Sequence, residues 1–298
     1  MILQHTHERN KAKSEMGSMS EPLRLLPFVL LTLCRTSQAF VVMPHGRSRS
    51  ESITTALHEG TNVPTADFKA VIFDIDGTLA DSFKLGFDAT RVVLKNNQID
   101  NITEDMYHEC TVYATPERMA RHAGVFPGDD DYEAVSTRLA KEFDDLYIGL
   151  VSMETAQFYP GVLEMIFDIP EDILVGALTN AAHQYAHAVL RVNSAEDGAI
   201  YNRFSSIRGA DDVPKPKPHP DGLLVVCQDM DGVDPASCVY IGDSPSDGHA
   251  AKNAGMTAIG VLWGSHSEAK VRAAPFDYVC DTIESLRALL PQIKFSAV

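Results

Sequence analysis

The sequence predicts an α/β protein, a doubly wound parallel sheet that carries an inserted block of helices. Three observations lead there. Short apolar runs rich in β-branched residues recur between stretches of helical spacing, and runs that do not alternate suit strands covered by helices on both faces. Several runs end abruptly in polar or acidic residues, as ligand-binding strand ends do in such sheets. Between the first and second runs, residues 83 to 160 offer helical spacing and no strong strand.

Taken in order, the strands are expected at Ala70–Asp74, Ile173–Leu178, Phe204–Ile207, Cys238–Ile241, Thr257–Leu262 and Tyr278–Cys280. Helices are expected near 182–192, 219–229, 246–254, 266–273 and 282–290, so strand and helix alternate as a doubly wound sheet requires. In the inserted block, Val135, Leu139, Phe143, Leu146 and Leu150 recur at helical spacing and predict a buried stripe. The acidic run Gly128-Asp-Asp-Asp-Tyr132 reads as a solvated loop, since it lacks the spacing and closing glutamate of an EF-hand. The domain reading is therefore a core of residues 67–82 and 161–298, a helical cap of 83–160, and a leading segment of 1–66.

That leading segment looks like an address. Leu25 to Cys34 is an apolar run too short to span a bilayer, Arg24 precedes it and Ser37-Gln38-Ala39 follows with small residues, the pattern of a signal peptide. Phe40 and a Ser/Arg-rich stretch come next. This arrangement resembles the two-part plastid address of algae with secondary plastids; simple secretion is the alternative. No stable membrane insertion of the mature protein is expected. Outside the leader, 18 basic residues face 36 acidic ones. So acidic a body argues against nucleic-acid binding, which depends on neutralising phosphates. The five cysteines show no CxxC spacing and read as reduced thiols.

The chemistry centres on Ala70-Val-Ile-Phe-Asp-Ile-Asp-Gly-Thr-Leu-Ala-Asp-Ser82. A buried strand that runs into two carboxylates, Asp74 and Asp76, needs a metal, a proton or a cation to offset their desolvation. Candidates follow downstream. Ile173 to Asn180 ends in a hydroxyl and an amide, Thr179 and Asn180. Val213-Pro-Lys-Pro-Lys-Pro-His-Pro-Asp221 presents lysines in a proline-stiffened loop, and Cys238-Val-Tyr-Ile-Gly-Asp-Ser-Pro-Ser-Asp247 adds Asp243 and Asp247. In a parallel sheet these converge at one edge, where they could hold a divalent metal and a phosphoryl group. The competing view, that such acids are helix caps and turn formers, suits Asp247 but gives Asp74 and Asp76 nothing to cap.

Four segments in this order, DIDGT at 74–78, LTN at 178–180, KPHPD at 217–221 and GDSPSD at 242–247, resemble the haloacid dehalogenase-like superfamily of phosphohydrolases. The resemblance implies that Asp74 is a nucleophile forming an aspartyl phosphate and that Asp76 is the general acid/base. It further implies that Thr179 and the Asn180 backbone hold phosphoryl oxygens, that Gly77 turns the chain beneath the substrate, and that Lys217 neutralises charge. Lys217 rather than Lys215 has the aspartate four residues later that the pattern asks for. Mg²⁺ would be bound by the Asp74 carboxylate, the Asp76 backbone carbonyl and Asp243, with Asp247 either a ligand or a support. The partner is then a small phosphorylated metabolite, and the protein a monomer or homodimer.

An aspartate at position 76 keeps the chain with phosphatases and phosphomutases. The segments from Gly209 to Asp221, Gly260 to Gly264 and Phe276 to Asp281 look like phosphoglycolate phosphatases. A β-phosphoglucomutase-like enzyme or a sugar-phosphate phosphatase would share every catalytic residue. The alternative from a different class is a non-catalytic phosphometabolite-binding protein. Other conspicuous residues read as structural: His183 and His187 lie on a helix surface without a third ligand, His219 packs a loop, Arg118 and Arg121 lie on a solvated face rather than against a substrate carboxylate, and Trp263 is packing.

Overall fold

The computed structural model describes residues 68–99, 102–194 and 198–292. The leader of 1–66, with its targeting features, lies outside them. Strands are β1 Ala70–Phe73, β2 Leu174–Leu178, β3 Ser206–Arg208, β4 Cys238–Gly242, β5 Thr257–Val261 and β6 Tyr278–Cys280. Helices α1 Phe83–Asn96, α2 Glu104–Cys110, α3 Thr115–His122 and α4 Tyr132–Gly149 follow β1, and α5 Val162–Asp168 leads into β2. Beyond β2 come α6 His183–Val192, α7 Ala199–Arg203, α8 Asp221–Asp229, α9 Pro245–Ala254, α10 Glu268–Ala273 and α11 Ile283–Leu289.

All six strands are parallel, in the order β3-β2-β1-β4-β5-β6. The expected doubly wound sheet is what forms. Strand alternation divides the core in two. Val71, Phe73, Val175, Ala177, Val239 and Ile241 face one cluster, with the helices of 83–149 above it. Ala70, Ile72, Cys238 and Tyr240 face the other, against Leu223 and Val226 of α8. The chain reverses its winding between β1 and β4, so the crevice beyond their carboxyl ends is the topological switch point where ligands bind in such sheets. The motif residues leave the sheet there.

The stripe expected in the helical block forms, with one departure at its end. The buried stripe of α4 runs through Ser136, Leu139, Ala140, Phe143 and Tyr147, while Leu150 is exposed and caps the helix. From Phe143 a step of four also buries Tyr147, Val135 and Leu146 pack half-buried against the core, and Leu150, at the helix end, passes out to solvent. The acidic loop before α4 is exposed, its Asp129 accepting from the Phe126 backbone N–H at 2.7 Å. No helix among the described residues is long and apolar enough to cross a membrane.

Candidate active site

Asp74 follows the last residue of β1, and its backbone N–H still donates to Ile241 O of β4 at 2.8 Å, which fixes its carboxylate at the switch point. Beside it lies Lys217, 4% exposed although its loop neighbours Lys215 and His219 are exposed. Lys217 Nζ donates to Asp74 Oδ1 at 2.8 Å, Asp247 Oδ1 at 2.7 Å and the Tyr240 hydroxyl at 3.0 Å. Burial alone would lower the Lys217 pKa, but the Asp247 and Asp74 carboxylates outweigh it and hold the ammonium above its ordinary value. The lysine loop is clamped by Asn180, whose side-chain amide donates to Lys217 O at 3.1 Å and accepts from Lys217 N at 3.0 Å. That amide is thus occupied, and its backbone is what remains for a ligand.

Asp247 sits in the first turn of α9, where its Oδ2 accepts from the Ser244 backbone N–H at 2.9 Å in a capping box. Its other oxygen takes Lys217 and Tyr240. The sequence leaves Asp247 as a helix cap, a metal ligand or a support; the carboxylate caps α9 and also holds Lys217. Asp243 leaves β4 two residues after Ile241 and is cradled by glycines. A Cβ at Gly77, whose φ is +75°, would lie 2.3 Å from Asp243 Oδ2, and one at Gly264 would lie 2.2 Å from it. Ser265 N donates to the same oxygen at 2.9 Å.

Asp76 has quite different company. Its Oδ1 accepts from Tyr185 of α6 and Ser82, both at 2.5 Å, and from Tyr147 of α4 at 3.2 Å, while Oδ2 accepts from Thr179 at 3.1 Å. The two tyrosine rings stack, with centroids 4.1 Å apart. Tyr147, Tyr185 and Ser82 escaped the sequence reading. The available signal was a hydroxyl-bearing aromatic four residues beyond Phe143 on the buried stripe, since a buried phenol must find a partner.

Carboxylate oxygens of Asp74, Asp243 and Asp247 lie within 4.8 Å of one another. Burial pushes the Asp74 carboxyl well above its ordinary value; Lys217 draws it back in part, and Asp247, Asp243 and Asp76 push it further up. One ammonium, paired with Asp74 and Asp247, thus serves a cluster that Asp243 and Asp76 also crowd. A divalent cation fits this deficit of positive charge, and the all-oxygen donors suit a hard metal.

Among the residues read as structural, one departs from expectation. Arg118 of α3 is not on a solvated face: it is 7% exposed and lines the cavity above the aspartates. Arg121 pairs with Glu117 at 2.7 Å. His183 and His187 pack edge to face, and His187 Nδ1 lies 2.7 Å from the Tyr201 hydroxyl, a surface pairing. Trp263 packs against the core and also donates from Nε1 to Thr78 O at 3.0 Å, pinning the turn after Gly77. The cavity itself measures about 90 Å³, against roughly 300–1,000 Å³ for pockets that take drug-sized ligands.

A family model described as haloacid dehalogenase-like hydrolase matches residues 71–261. The phosphoglycolate phosphatase of Escherichia coli K12 is 29% identical over 236 residues, covering 74% of this chain and 91% of that protein. Among solved structures, a protein of Bacteroides fragilis described as a haloacid dehalogenase-like hydrolase superposes with a TM-score of 0.62 at 26% identity, covering 74% of this chain and 100% of its own. The β-phosphoglucomutase of Clostridium difficile superposes with a TM-score of 0.61 at 22% identity, covering 76% of this chain and 96% of its own, a likeness of fold alone.

Proposed function

Because the chain belongs to the haloacid dehalogenase-like hydrolase family, we propose that it is a Mg²⁺-dependent phosphatase that cleaves a small phosphomonoester through an aspartyl phosphate on Asp74. One observation carries the reading: two carboxylates two residues apart at one strand end have opposite surroundings. Asp74 faces an ammonium and two further acids, and Asp76 faces only hydroxyl groups. Asp74 then attacks phosphorus. Asp76 delivers a proton to the leaving alkoxide and later takes one from the hydrolytic water.

Thr179 and the backbone of Asn180 hold phosphoryl oxygens, and Lys217 offsets charge on Asp74 and the phosphoryl group. Asp74, the Asp76 carbonyl and Asp243 would hold Mg²⁺, which supplies charge neutralisation at the phosphoryl oxygens when bound. Asp247, with both oxygens engaged, supports Lys217. Residues 83–160 form the cap over this centre, and 2-phosphoglycolate is the favoured substrate. The similarity to phosphoglycolate phosphatases and the cavity of about 90 Å³ both support a small substrate over a hexose phosphate. A plastid address in the leader, rather than simple secretion, accords with that substrate, and a monomer or homodimer suffices for a site built within one chain.

The deciding experiment is a steady-state assay of the protein with Mg²⁺ against 2-phosphoglycolate, hexose phosphates and other small phosphomonoesters. Turnover that EDTA silences, Mg²⁺ restores and Asp74→Asn abolishes is the expected result. Substantial turnover by Asp74→Asn would sink the mechanism.

A further inference from the structure

Arg118 is hard to account for as a structural residue. It lies on α3, in the block of helices above the aspartates, and is 7% exposed. Its guanidinium carbon sits 4.4 Å from the centroid of Phe143 and 5.4 Å from that of Tyr107, and Nη1 donates to the Tyr107 hydroxyl at 3.1 Å. Aromatic faces offset part of a cation's desolvation, but a buried guanidinium ordinarily also has a carboxylate. Among the described residues none lies within 4 Å of it in an ion pair, although Arg121, one turn on, has Glu117. Asp144, on the facing helix α4, feels its charge, yet Asp144 Oδ1 is buried without a partner and burial pushes that carboxyl up to about 7. Among the described residues the remaining donors of the fork make no hydrogen bond, and the residue lines the same cavity as Asp74 and Lys217.

That cavity is acidic on its floor and small. Lys217 and Arg118 are the lysine and arginine lining it, and Lys217 is committed to Asp74 and Asp247. A substrate with negative charge beyond its phosphate would be repelled by the three aspartates lining the floor unless a cation met it on the roof. Rigid aromatic walls hold a planar fork there, the donor geometry that recognises a carboxylate through paired hydrogen bonds.

We propose that Arg118 is the specificity residue of this site, and that it reads a carboxylate on the short alcohol portion of the phosphomonoester. The proposal rests on the phosphatase reading above and names its substrate class: a phosphomonoester of a small hydroxy acid, as against a neutral alcohol or sugar. The helical block then selects by charge, while the sheet edge handles the phosphate common to all candidates. Selection of this kind is strong because a neutral group leaves the buried guanidinium without its anion.

The test compares kcat/KM for 2-phosphoglycolate and ethyl phosphate, which differ by a carboxylate in place of a methyl group, using the full chain with Mg²⁺. The wild type should favour phosphoglycolate. In Arg118→Gln the ratio of the two values should fall about 10- to 100-fold, the worth of hydrogen bonds to a charged group. Arg118→Lys, which keeps the charge without the fork, should fall between. Equal losses on both substrates in Arg118→Gln would assign the residue to packing and overturn the proposal. So would a wild type that turns over ethyl phosphate as well as phosphoglycolate. Should the variants fail to fold, wild-type inhibition by 3-phosphonopropionate against propylphosphonate makes the same comparison, and equal potency overturns the proposal. Inactivity of the wild type on every phosphomonoester would instead overturn the phosphatase reading on which the proposal depends.

Discussion

Replacing Lys217 by methionine tests the central ion cluster most directly. Methionine has nearly the length of the lysine stem, so packing is largely kept and the ammonium is what disappears. The loss removes hydrogen bonds to Asp74, Asp247 and Tyr240 and leaves two carboxylates, 7% and 0% exposed, without a cation. Breaking a buried pair from one side costs about 3–5 kcal/mol, which at roughly 2–4 °C per kcal/mol for a body of this size lowers Tm by about 6–20 °C. The assay is urea unfolding in EDTA, so that no metal replaces the lost charge, with the m-value checked for constancy. Adding Asp247→Asn to Lys217→Met should restore ~1 kcal/mol or more, because one unpaired charge then goes with its partner. A loss below ~1 kcal/mol for Lys217→Met, or strictly additive losses in the double variant, would refute the reasoning.

Gly77→Ala should lose at least about 100-fold in kcat/KM, since a Cβ there would meet Asp243 Oδ2 at 2.3 Å on a backbone with φ of +75°. Gly128→Ala, with φ of +103° but open space around it, should keep its activity, and equal kinetics in the two variants would show that the Asp243 contact does not matter. Tyr147→Phe, read by kcat, should lose about 10-fold by removing one hydroxyl from Asp76 while the ring stays stacked on Tyr185. The Asp144 carboxyl, raised by burial from 3.8 to about 7, holds its proton in the folded state where the unfolded chain has released it, so its contribution is full below pH 4 and is lost as pH rises through 7. Asp144→Asn should flatten the fall in stability across that window and be more stable than wild type at pH 8, by roughly 4 kcal/mol at most; equal pH profiles of urea midpoints would count against it.

Much of the sheet was legible because it is local. The central strands are largely continuous apolar runs, and Asp74, Asp76, Thr179, Asn180 and Asp243 sit within a few positions of a strand end, so reading the strand places the residue; Lys217 and Asp247 lie farther along the chain. Lys217 was separable from Lys215 by a spacing in the sequence, and the two differ sharply in burial. Partners from distant elements were not legible. The contact from Tyr147 to Asp76 joins residues 71 apart, and that from Tyr185 joins residues 109 apart. Arg118 was misread for a related reason. An arginine in a short polar helix looks solvated, and only the packing of α3 along α4 puts Phe143 over it and closes it from water.

The same distinction bears on how two carboxylates on one strand end acquire different work. The Asp74 carboxyl is drawn down by its ammonium but pushed further up by burial and neighbouring acids, so a second cation is what would hold it ionised for the attack proposed above. A carboxyl ringed by hydroxyls is another matter. Each of Ser82, Tyr147, Tyr185 and Thr179 can donate to the ionised form, and a hydroxyl that rotates can also accept from the protonated one. Such surroundings accommodate either protonation state without stranding a charge, as a group that gives and regains a proton in each cycle requires. One of the four hydroxyls comes from the helical block, so the Asp76 carboxyl is tied to the part of the chain that carries Arg118. On the proposed roles, substrate choice and proton transfer would meet on α4: Phe143 packs on the Arg118 guanidinium, and Tyr147, one turn later, donates to Asp76.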